Sequence, residues 1–222
     1  VAMALFPDFL LLDMAGPLEV FSVANRYLPP EAHYQILTIG TEPGPLRASN
    51  GVVVHADLLL EQAQGAYDLL LVPGGPGAYN ECHPALLPWL KDAVPRARRF
   101  GSICTGAFVL GHAGLLDHHH VTTHWHYTER LIKAFPKAIV ETDRIYLQDG
   151  RLITSGGITA GIDLALSIVA QDHGKEVAVE VAKVLLVVMK RQGGQAQFSP
   201  ITAAVSPQEI AITRVQNQIL AR

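Results

Sequence analysis

The sequence is poor in cysteine, in charge and in long apolar runs. Two cysteines among 222 residues exclude a disulfide framework, and no Cys-x-x-Cys pattern is present, so we expect a cytoplasmic setting and no metal. The apolar run Val184–Met189 is far shorter than the ~20 residues that a membrane span needs. We therefore expect no membrane partner.

Charge of either sign is scarce. Lys and Arg number 17 against 20 Asp and Glu, so the net charge is −3. No overall basic field is available to hold a phosphate backbone, and tight DNA binding by this chain alone is not expected. Residues Val1–Leu10 lack the basic region and the small-residue cleavage site of a secretory signal. The first residue is valine, and we expect a piece of a longer protein.

Short apolar runs bounded by glycine and proline alternate with amphipathic segments of helical length. This alternation predicts an α/β fold with a mostly parallel sheet between two layers of helices. A hydrophobic content of 49% in 222 residues is enough for the core of one domain. The expected strands are Val1–Phe6, Tyr34–Ile39, Asp68–Val72, Arg99–Ile103 and Val121–Thr123. The expected helices are Gly16–Leu28, Pro84–Ala97, Thr105–Ala113 and Tyr127–Phe135.

Two segments interrupt this alternation. Val52–Ala56 is expected as an extra strand. Ile139–Gln148 and Arg151–Thr154 are expected as a hairpin, because Asp149-Gly150 accepts the positive φ angles of a type I′ turn. Both segments are expected to decorate the parallel core.

The composition changes near the end of the chain. Two apolar helices are expected at Ala160–Gln171 and Lys175–Met189, after which residues 192–205 are rich in Gly, Gln, Ser, Pro and Ala and predict a linker. Ser206-Pro207-Gln208-Glu209 is a capping box, so a helix is expected over residues 206–222. We therefore expect one domain over residues 1–191, then a linker and the start of a further helix.

A cysteine lies where an expected strand runs into an expected helix. The small residues two positions before and after Cys104, Ser102 and Gly106, are typical of a nucleophile elbow, because that turn crowds them against the strand and the helix. The dipole and the free N–H groups of a helix N-terminus favour a thiolate. We expect Cys104 to be a reactive thiol with a low pKa, and the alternative is a buried, inert cysteine.

Two other segments are expected beside Cys104. The glycines of Pro73–Gly77 let backbone N–H groups approach a ligand, and the N–H groups of Gly75 and Thr105 can converge on one oxygen as in an oxyanion hole; the alternative is a simple turn. Asp13 either caps the first helix or reaches the cysteine. In the second case it donates a hydrogen bond to the thiolate if burial raises its pKa.

Five motifs, in this order along the chain, resemble the DJ-1/PfpI superfamily. Within it they are most similar to the glutamine-amidotransferase-like N-terminal domain of AraC-type (GlxA-like) transcriptional regulators, and nearly as similar to isocyanide hydratases. The resemblance covers Ala2–Met189. The motifs are Leu12–Pro17 with Glu19–Phe21, Val72–Gly75, the turn at Cys104, Thr122–Trp125 and Gly156–Asp163.

The resemblance implies a flavodoxin-like three-layer sandwich, a homodimer and a small-molecule pocket without a cofactor. The residues expected to bind the ligand are Asp13, Gly74, Gly75, Cys104, Thr105 and His124. If the protein is an enzyme, Cys104 and Asp13 are its expected catalytic residues.

Departures from the family's pattern limit the expected chemistry. Protease-like and amidotransferase members place a histidine directly after the cysteine, where this chain has Thr105, so peptide or glutamine hydrolysis is not expected. His124 is either a substitute base or, as we favour, a structural or ligand-contact residue. His118–His120 are interpreted as solvated loop residues rather than metal ligands, and Cys82 as a surface or packing residue.

Two functions stay open. We favour the effector-sensing domain of an AraC-type regulator, which binds a small metabolite near Cys104 and contacts DNA only through C-terminal helix-turn-helix elements that this chain lacks. The alternative is an isocyanide hydratase, in which Cys104 attacks the terminal isocyanide carbon and Asp13 is the general acid. In that case residues 206–222 are a dimer arm. The sequence identifies neither the effector nor the target DNA.

Overall fold

The computed structural model describes residues 1–80, 83–188 and 194–195. Its strands are β1 (Ala2–Leu5), β2 (Leu37–Gly40), β3 (Pro45–Arg47), β4 (Val53–His55), β5 (Leu58–Leu59), β6 (Tyr67–Val72), β7 (Ala97–Ile103), β8 (His120–Val121), β9 (Ile139–Val140), β10 (Tyr146–Asp149) and β11 (Leu152–Ser155). Its α-helices are α1 (Leu11–Ala24), α2 (Gly77–Asn80), α3 (Leu86–Ala93), α4 (Gly106–His112), α5 (Thr128–Ala134), α6 (Thr159–His173) and α7 (Lys175–Val184). Short 3₁₀ helices lie at Asn25–Tyr27, Pro30–Ala32, Val94–Arg96 and Trp125–Tyr127.

Seven strands form the central sheet in the order β10-β11-β7-β6-β1-β2-β5. Every neighbouring pair is parallel except β10 with β11. Helices α1, α6 and α7 contact one another, and α4 contacts β6 and β7. The central strand β1 is buried along its whole length, as expected for a parallel strand covered on both faces. The predicted α/β sandwich is therefore confirmed.

The order of the strands places a topological switch point at one edge of the sheet. Strand β2 lies on one side of β1, whereas β6 lies on the other, so the direction of winding reverses between β1 and β6. Loops that follow strands at such a switch point diverge and leave room for a ligand at the carboxyl ends of the strands. The loops after β1, β6 and β7 all lie at this edge.

The first helix begins earlier than the sequence suggests. Helix α1 starts at Leu11, and its N-cap residue Leu10 makes no side-chain hydrogen bond. Asp13 therefore lies inside the first turn, and the capping interpretation of Asp13 is wrong. Gly16-Pro17 looks like a helix start because proline fits the first turn, but Pro17 lies within α1.

The short strands outside the core also differ from expectation. Val121–Thr123 is not a strand of the central sheet, because His120–Val121 pairs with Ile139–Val140 in a separate two-stranded sheet. Ile139–Gln148 is consequently not one strand. The expected hairpin is formed only by β10 and β11, with Gly150 at φ +59° in its turn. The extra strand near Val52–Ala56 is present as β4, which pairs with β3.

Most of the C-terminal prediction lies outside the described residues. Of the linker predicted over residues 192–205, the structure describes Gly194 and Gln195. The helix predicted over residues 206–222 and Cys82 both lie outside the described residues. In the part of the chain that is described, no helix has the combination of length and hydropathy that crossing a membrane demands.

Candidate functional site

Cys104 occupies a tight turn between β7 and α4. Its φ angle is +55°, a region that residues other than glycine seldom adopt. Its backbone N–H donates to the Ser155 carbonyl at 3.0 Å, and its carbonyl accepts from the Thr123 hydroxyl at 2.8 Å. A Cβ on Gly106 would lie 2.4 Å from the Val72 carbonyl oxygen. The turn therefore requires glycine two residues after the cysteine.

Asp13 is buried beside Cys104. One carboxylate oxygen accepts from the Gly74 N–H at 3.0 Å, and the other accepts from the Ile158 N–H at 2.7 Å. The side chain is fully buried, and this burial raises the pKa of Asp13 to about 6, although the two backbone N–H groups lower it. Burial thus raises this pKa, which was the condition for Asp13 to donate to a thiolate. The hydrogen bond with Cys104 nevertheless lowers the pKa of Asp13 and raises that of the thiol, so the thiol is the donor and Asp13 the acceptor.

The thiol of Cys104 is held in its protonated form. Burial, and then the negative charge of Asp13, raise the pKa of Cys104 well above its usual range, against hydrogen bonds from the Thr105 N–H and hydroxyl that lower it. The expectation of a low-pKa thiol is therefore wrong. The helix N-terminus does favour a thiolate, but the desolvation of a residue that is 4% exposed is the larger effect.

The glycine loop after β6 surrounds this pair closely. A Cβ on Gly74 would lie 2.7 Å from Asp13 Oδ2 and 2.7 Å from the Cys104 Cβ. The Gly75 N–H donates to the Thr105 hydroxyl at 2.9 Å, and the Thr105 N–H donates to the Cys104 sulfur. The two N–H groups thus have separate acceptors, and the expected convergence of Gly75 and Thr105 on one oxygen is not seen.

A third loop, between β11 and α6, completes the site. A Cβ on Gly157 would lie 2.0 Å from the Cys104 Cβ and 2.6 Å from its Sγ, so only glycine fits against the thiol. Ile158 has φ +54°, a strained conformation for a β-branched residue that costs about 1–3 kcal/mol. Its N–H is the donor to Asp13. Gly157 and Ile158 are site residues that the sequence argument did not single out, although the Gly156-Gly157 pair was the available signal.

His124 lies at a neighbouring cavity of about 270 Å³, which Trp125, Gly156–Ala160 and Gln195 also line. Its Nδ1 accepts from the His126 N–H at 3.3 Å, so the side chain caps the 3₁₀ turn that follows. Burial, and then the charge of His126, lower the pKa of His124. His124 is therefore a neutral, half-buried side chain with a structural contact, as we favoured.

Aromatic side chains stand close to the cysteine turn. The hydroxyls of Tyr79 and Tyr127 are 2.8 Å apart, and the Arg130 guanidinium lies 4.7 Å from the centre of the Tyr79 ring. The hydrogen bond with Tyr79, and then burial, raise the pKa of Tyr127 to about 12. Tyr127 is therefore neutral at physiological pH, and the sequence argument identified neither tyrosine.

Two histidines of the run after α4 lie within hydrogen-bond distance of acidic side chains. His119 Nδ1 is 3.0 Å from Asp149 Oδ2, and His120 Nδ1 is 3.0 Å from Glu141 Oε1. Within the described ranges, no three His, Cys, Asp or Glu side chains are grouped as a metal would require.

Comparisons with known proteins agree with this architecture. The model of the DJ-1/PfpI family matches residues 1–171. The chain is 36% identical over 179 residues to the HTH-type transcriptional regulator CdhR of Pseudomonas aeruginosa, which covers 81% of this chain and 52% of that regulator. It is 34% identical over 179 residues to the isonitrile hydratase of Pseudomonas putida, covering 80% of this chain and 74% of the hydratase.

Among solved structures, an AraC family transcriptional regulator from Pseudomonas putida has the same fold. Its TM-score is 0.73 at 22% identity, covering 83% of this chain and 97% of that one. The chain spans about half the length of the curated regulator CdhR, 52%.

Proposed function

The chain belongs to the DJ-1/PfpI family, and we propose that it is the effector-sensing domain of an AraC-type (GlxA-like) transcriptional regulator. The likeness to a helix-turn-helix regulator of which the chain matches about half carries this proposal. We assign DNA contact to the part of such a regulator that the match does not cover, since the net charge of this chain is −3 and phosphate binding needs clustered positive charge. The homodimer and the cytoplasmic location stay predictions.

The proposed effector pocket is the buried edge around Cys104. Asp13, Gly74, Gly75, Cys104 and Thr105 form its floor, His124 lies at the adjoining cavity, and we interpret the cysteine turn as a nucleophile elbow. With a pKa of about 6, the Asp13 carboxyl is mostly ionised at pH 7. A small nitrogen-containing ligand that offers an N–H donor would compensate this buried charge.

The position of the proton favours sensing over catalysis. At neutral pH the pair holds a carboxylate on Asp13 and a protonated thiol on Cys104, because burial raises both pKa values and the ionised Asp13 raises that of Cys104 further. Nucleophilic attack needs a thiolate, and general acid catalysis needs a protonated Asp13. A sensor needs only different affinities in two states.

The likeness to isonitrile hydratase supports one alternative. In that reaction the ionised Asp13 would first take the proton of the Cys104 thiol. The sulfur would then add to the terminal carbon of R–N≡C, and Asp13 would pass the same proton to that carbon, giving a thioimidate. Water would then add to that carbon, and loss of the thiol would release an N-substituted formamide.

Ligand binding at the Cys104 edge can be tested directly. The Cys82→Ser variant leaves Cys104 as the single cysteine, and its melting temperature and rate of alkylation by iodoacetamide are measured with a panel of small amines and amides. We expect a binding compound to raise the melting temperature, since it binds the folded state, and to slow alkylation. The matched control adds Asp13→Asn. Compounds that stabilise both variants equally and leave alkylation unchanged would place binding elsewhere and contradict the proposed pocket.

A further inference from the structure

The described residues that follow the α/β sandwich are fixed against the cysteine site. The Gln195 side chain is buried, with 4% exposed. Its Nε2 donates to Thr122 Oγ1 at 3.2 Å, to the Thr123 carbonyl at 2.9 Å and to the Arg144 carbonyl at 2.6 Å. Its Oε1 accepts from the Trp125 N–H at 2.9 Å. Every polar atom of this amide is therefore used.

The backbone around Gln195 is anchored as well. The Gln195 N–H donates to the Asp143 carbonyl at 3.0 Å. A Cβ on Gly194 would lie 2.3 Å from that same carbonyl oxygen, so the chain passes Asp143 at a distance that only glycine allows. A composition typical of a linker thus contains one residue with the burial and hydrogen bonding of a core side chain.

Two short routes connect Gln195 with Cys104. In the first, Gln195 binds the Thr123 carbonyl, and the hydroxyl of the same threonine binds the Cys104 carbonyl at 2.8 Å. In the second, a Cβ on Gly156 would lie 2.5 Å from Gln195 Cδ, and one on Gly157 would lie 2.6 Å from Cys104 Sγ. Gly156 is therefore packed directly against Gln195, and Gly157 directly against Cys104. Atoms added to the sulfur on the Gly157 side would displace this loop, because no space is left between them.

From these contacts we propose that Gln195 is a positioning residue for Cys104 and that its contacts form a latch whose state is coupled to that of the cysteine site. This inference deepens the proposed sensing role and rests on it for its purpose. A ligand or an adduct at the sulfur moves Gly156-Gly157 and Thr123, and the Gln195 contacts weaken. Thermodynamic reciprocity requires that loss of the latch also changes the behaviour of Cys104.

The test uses the whole chain carrying Cys82→Ser. Iodoacetamide alkylates Cys104 by forming an S–C bond, releasing iodide and giving the thiol proton to solvent. Hydrogen exchange of the Trp125 amide, read by NMR, reports the latch because this N–H donates to Gln195. Losing a hydrogen bond of this kind should speed its exchange about 5- to 10-fold. We expect that change on Gln195→Ala, and a similar change on alkylation of the chain with an intact Gln195.

The coupling distinguishes a latch from a merely structural contact. Alkylation should add little to the Trp125 exchange rate once Gln195 is alanine, and Gln195→Ala should change the alkylation rate of Cys104 several-fold. Gln195→Glu has the same size and keeps an acceptor for the Trp125 N–H, but it loses the donor to the Thr123 and Arg144 carbonyls. It should therefore change the alkylation rate of Cys104 as alanine does. Gln64→Ala is the matched control, because this exposed amide donates only to the Glu61 carbonyl. In Gln64→Ala, the exchange rate of the Trp125 amide and the alkylation rate of Cys104 should not change.

The latch would be overturned if alkylation changed the Trp125 exchange rate equally in the chain with Gln195 and in Gln195→Ala, or if it changed that rate in neither. Circular dichroism establishes that each variant is folded. Because alkylation is only a probe of the sulfur, this result is independent of turnover. If the chain hydrates isocyanides but retains the coupling, the proposed sensing role is wrong and the latch stands. If the coupling is absent, the latch is wrong and the proposed sensing role stands.

Discussion

Charged side chains are buried at both edges of the central sheet, but their partners differ. At the amino ends of the strands, Arg99 donates to Asp172 at 2.5 Å, and Arg98 is 3.2 Å from the same carboxylate. Burial alone would raise the pKa of Asp172, yet the two arginines lower it overall. At the carboxyl ends, Asp13 accepts hydrogen bonds from the backbone N–H groups of Gly74 and Ile158, and burial raises its pKa to about 6.

Backbone strain follows the same division. The positive φ angles of Cys104 and Ile158 lie at the carboxyl edge, beside the Asp13 carboxylate, whose two backbone hydrogen bonds only partly offset its burial. Strain and a perturbed pKa both cost stability, and they concentrate where a site needs a reactive or binding group. The paired charges of the amino edge stabilise the fold, although a cleft of about 730 Å³ also lies there. The larger cavity is therefore not the better functional candidate.

The largest expected effect is at the amino edge. Arg99→Ala should lower the free energy of unfolding by about 3–4 kcal/mol, because it removes the buried guanidinium that pairs with the partly buried carboxylate of Asp172. Arg98, whose side chain is 54% exposed, is the matched control, and Arg98→Ala should cost under about 1 kcal/mol. Urea denaturation measures both. Equal costs would show that the amino edge is not organised around a buried pair.

Asp13 should give a smaller, pH-dependent effect. Its pKa in the folded chain is raised from 3.8 to about 6, so its contribution to stability is fully present below pH 3.8 and is lost as the pH rises through 6. The wild type should lose about 2–3 kcal/mol of unfolding free energy over that range. Asp13→Asn cannot titrate and should remove this part of the pH dependence.

Denaturant melts at several pH values measure this difference. Asn also loses one acceptor for the Gly74 and Ile158 N–H groups, so the comparison is made between slopes and not between absolute stabilities. If the unfolding free energy of the wild type changed with pH in parallel with that of Asp13→Asn from pH 4 to pH 6, the pKa of Asp13 would not be raised in the folded chain.

The core of the sheet could be predicted from the sequence because its strands leave a local pattern. The apolar runs in β1 and β6 are followed closely by proline and are largely buried, so composition alone identifies them. His120–Val121 is only two residues long and pairs with β9. Its assignment depends on a distant partner that no local pattern reveals.

The chemistry of the site could be predicted only in part. The small residues around Cys104 follow from a local rule. The raised pKa values of Asp13 and Cys104 do not, because both depend on burial by segments that are distant in the sequence. The role of Gln195 could not be predicted from the sequence for the same reason. Its acceptors at Thr122, Thr123 and Arg144 come together only in the fold.

Catalytic turnover at the carboxyl edge tests the central claim most directly. The purified chain and its Cys104→Ser variant are incubated with simple alkyl and aryl isocyanides, and formamide is quantified over time. We expect no more than slow, stoichiometric modification of Cys104, since the proton stays on sulfur at neutral pH. Formamide production at several turnovers per second, within the ~1 to 10³ per second of ordinary enzymes, that disappears in Cys104→Ser would contradict the sensing role.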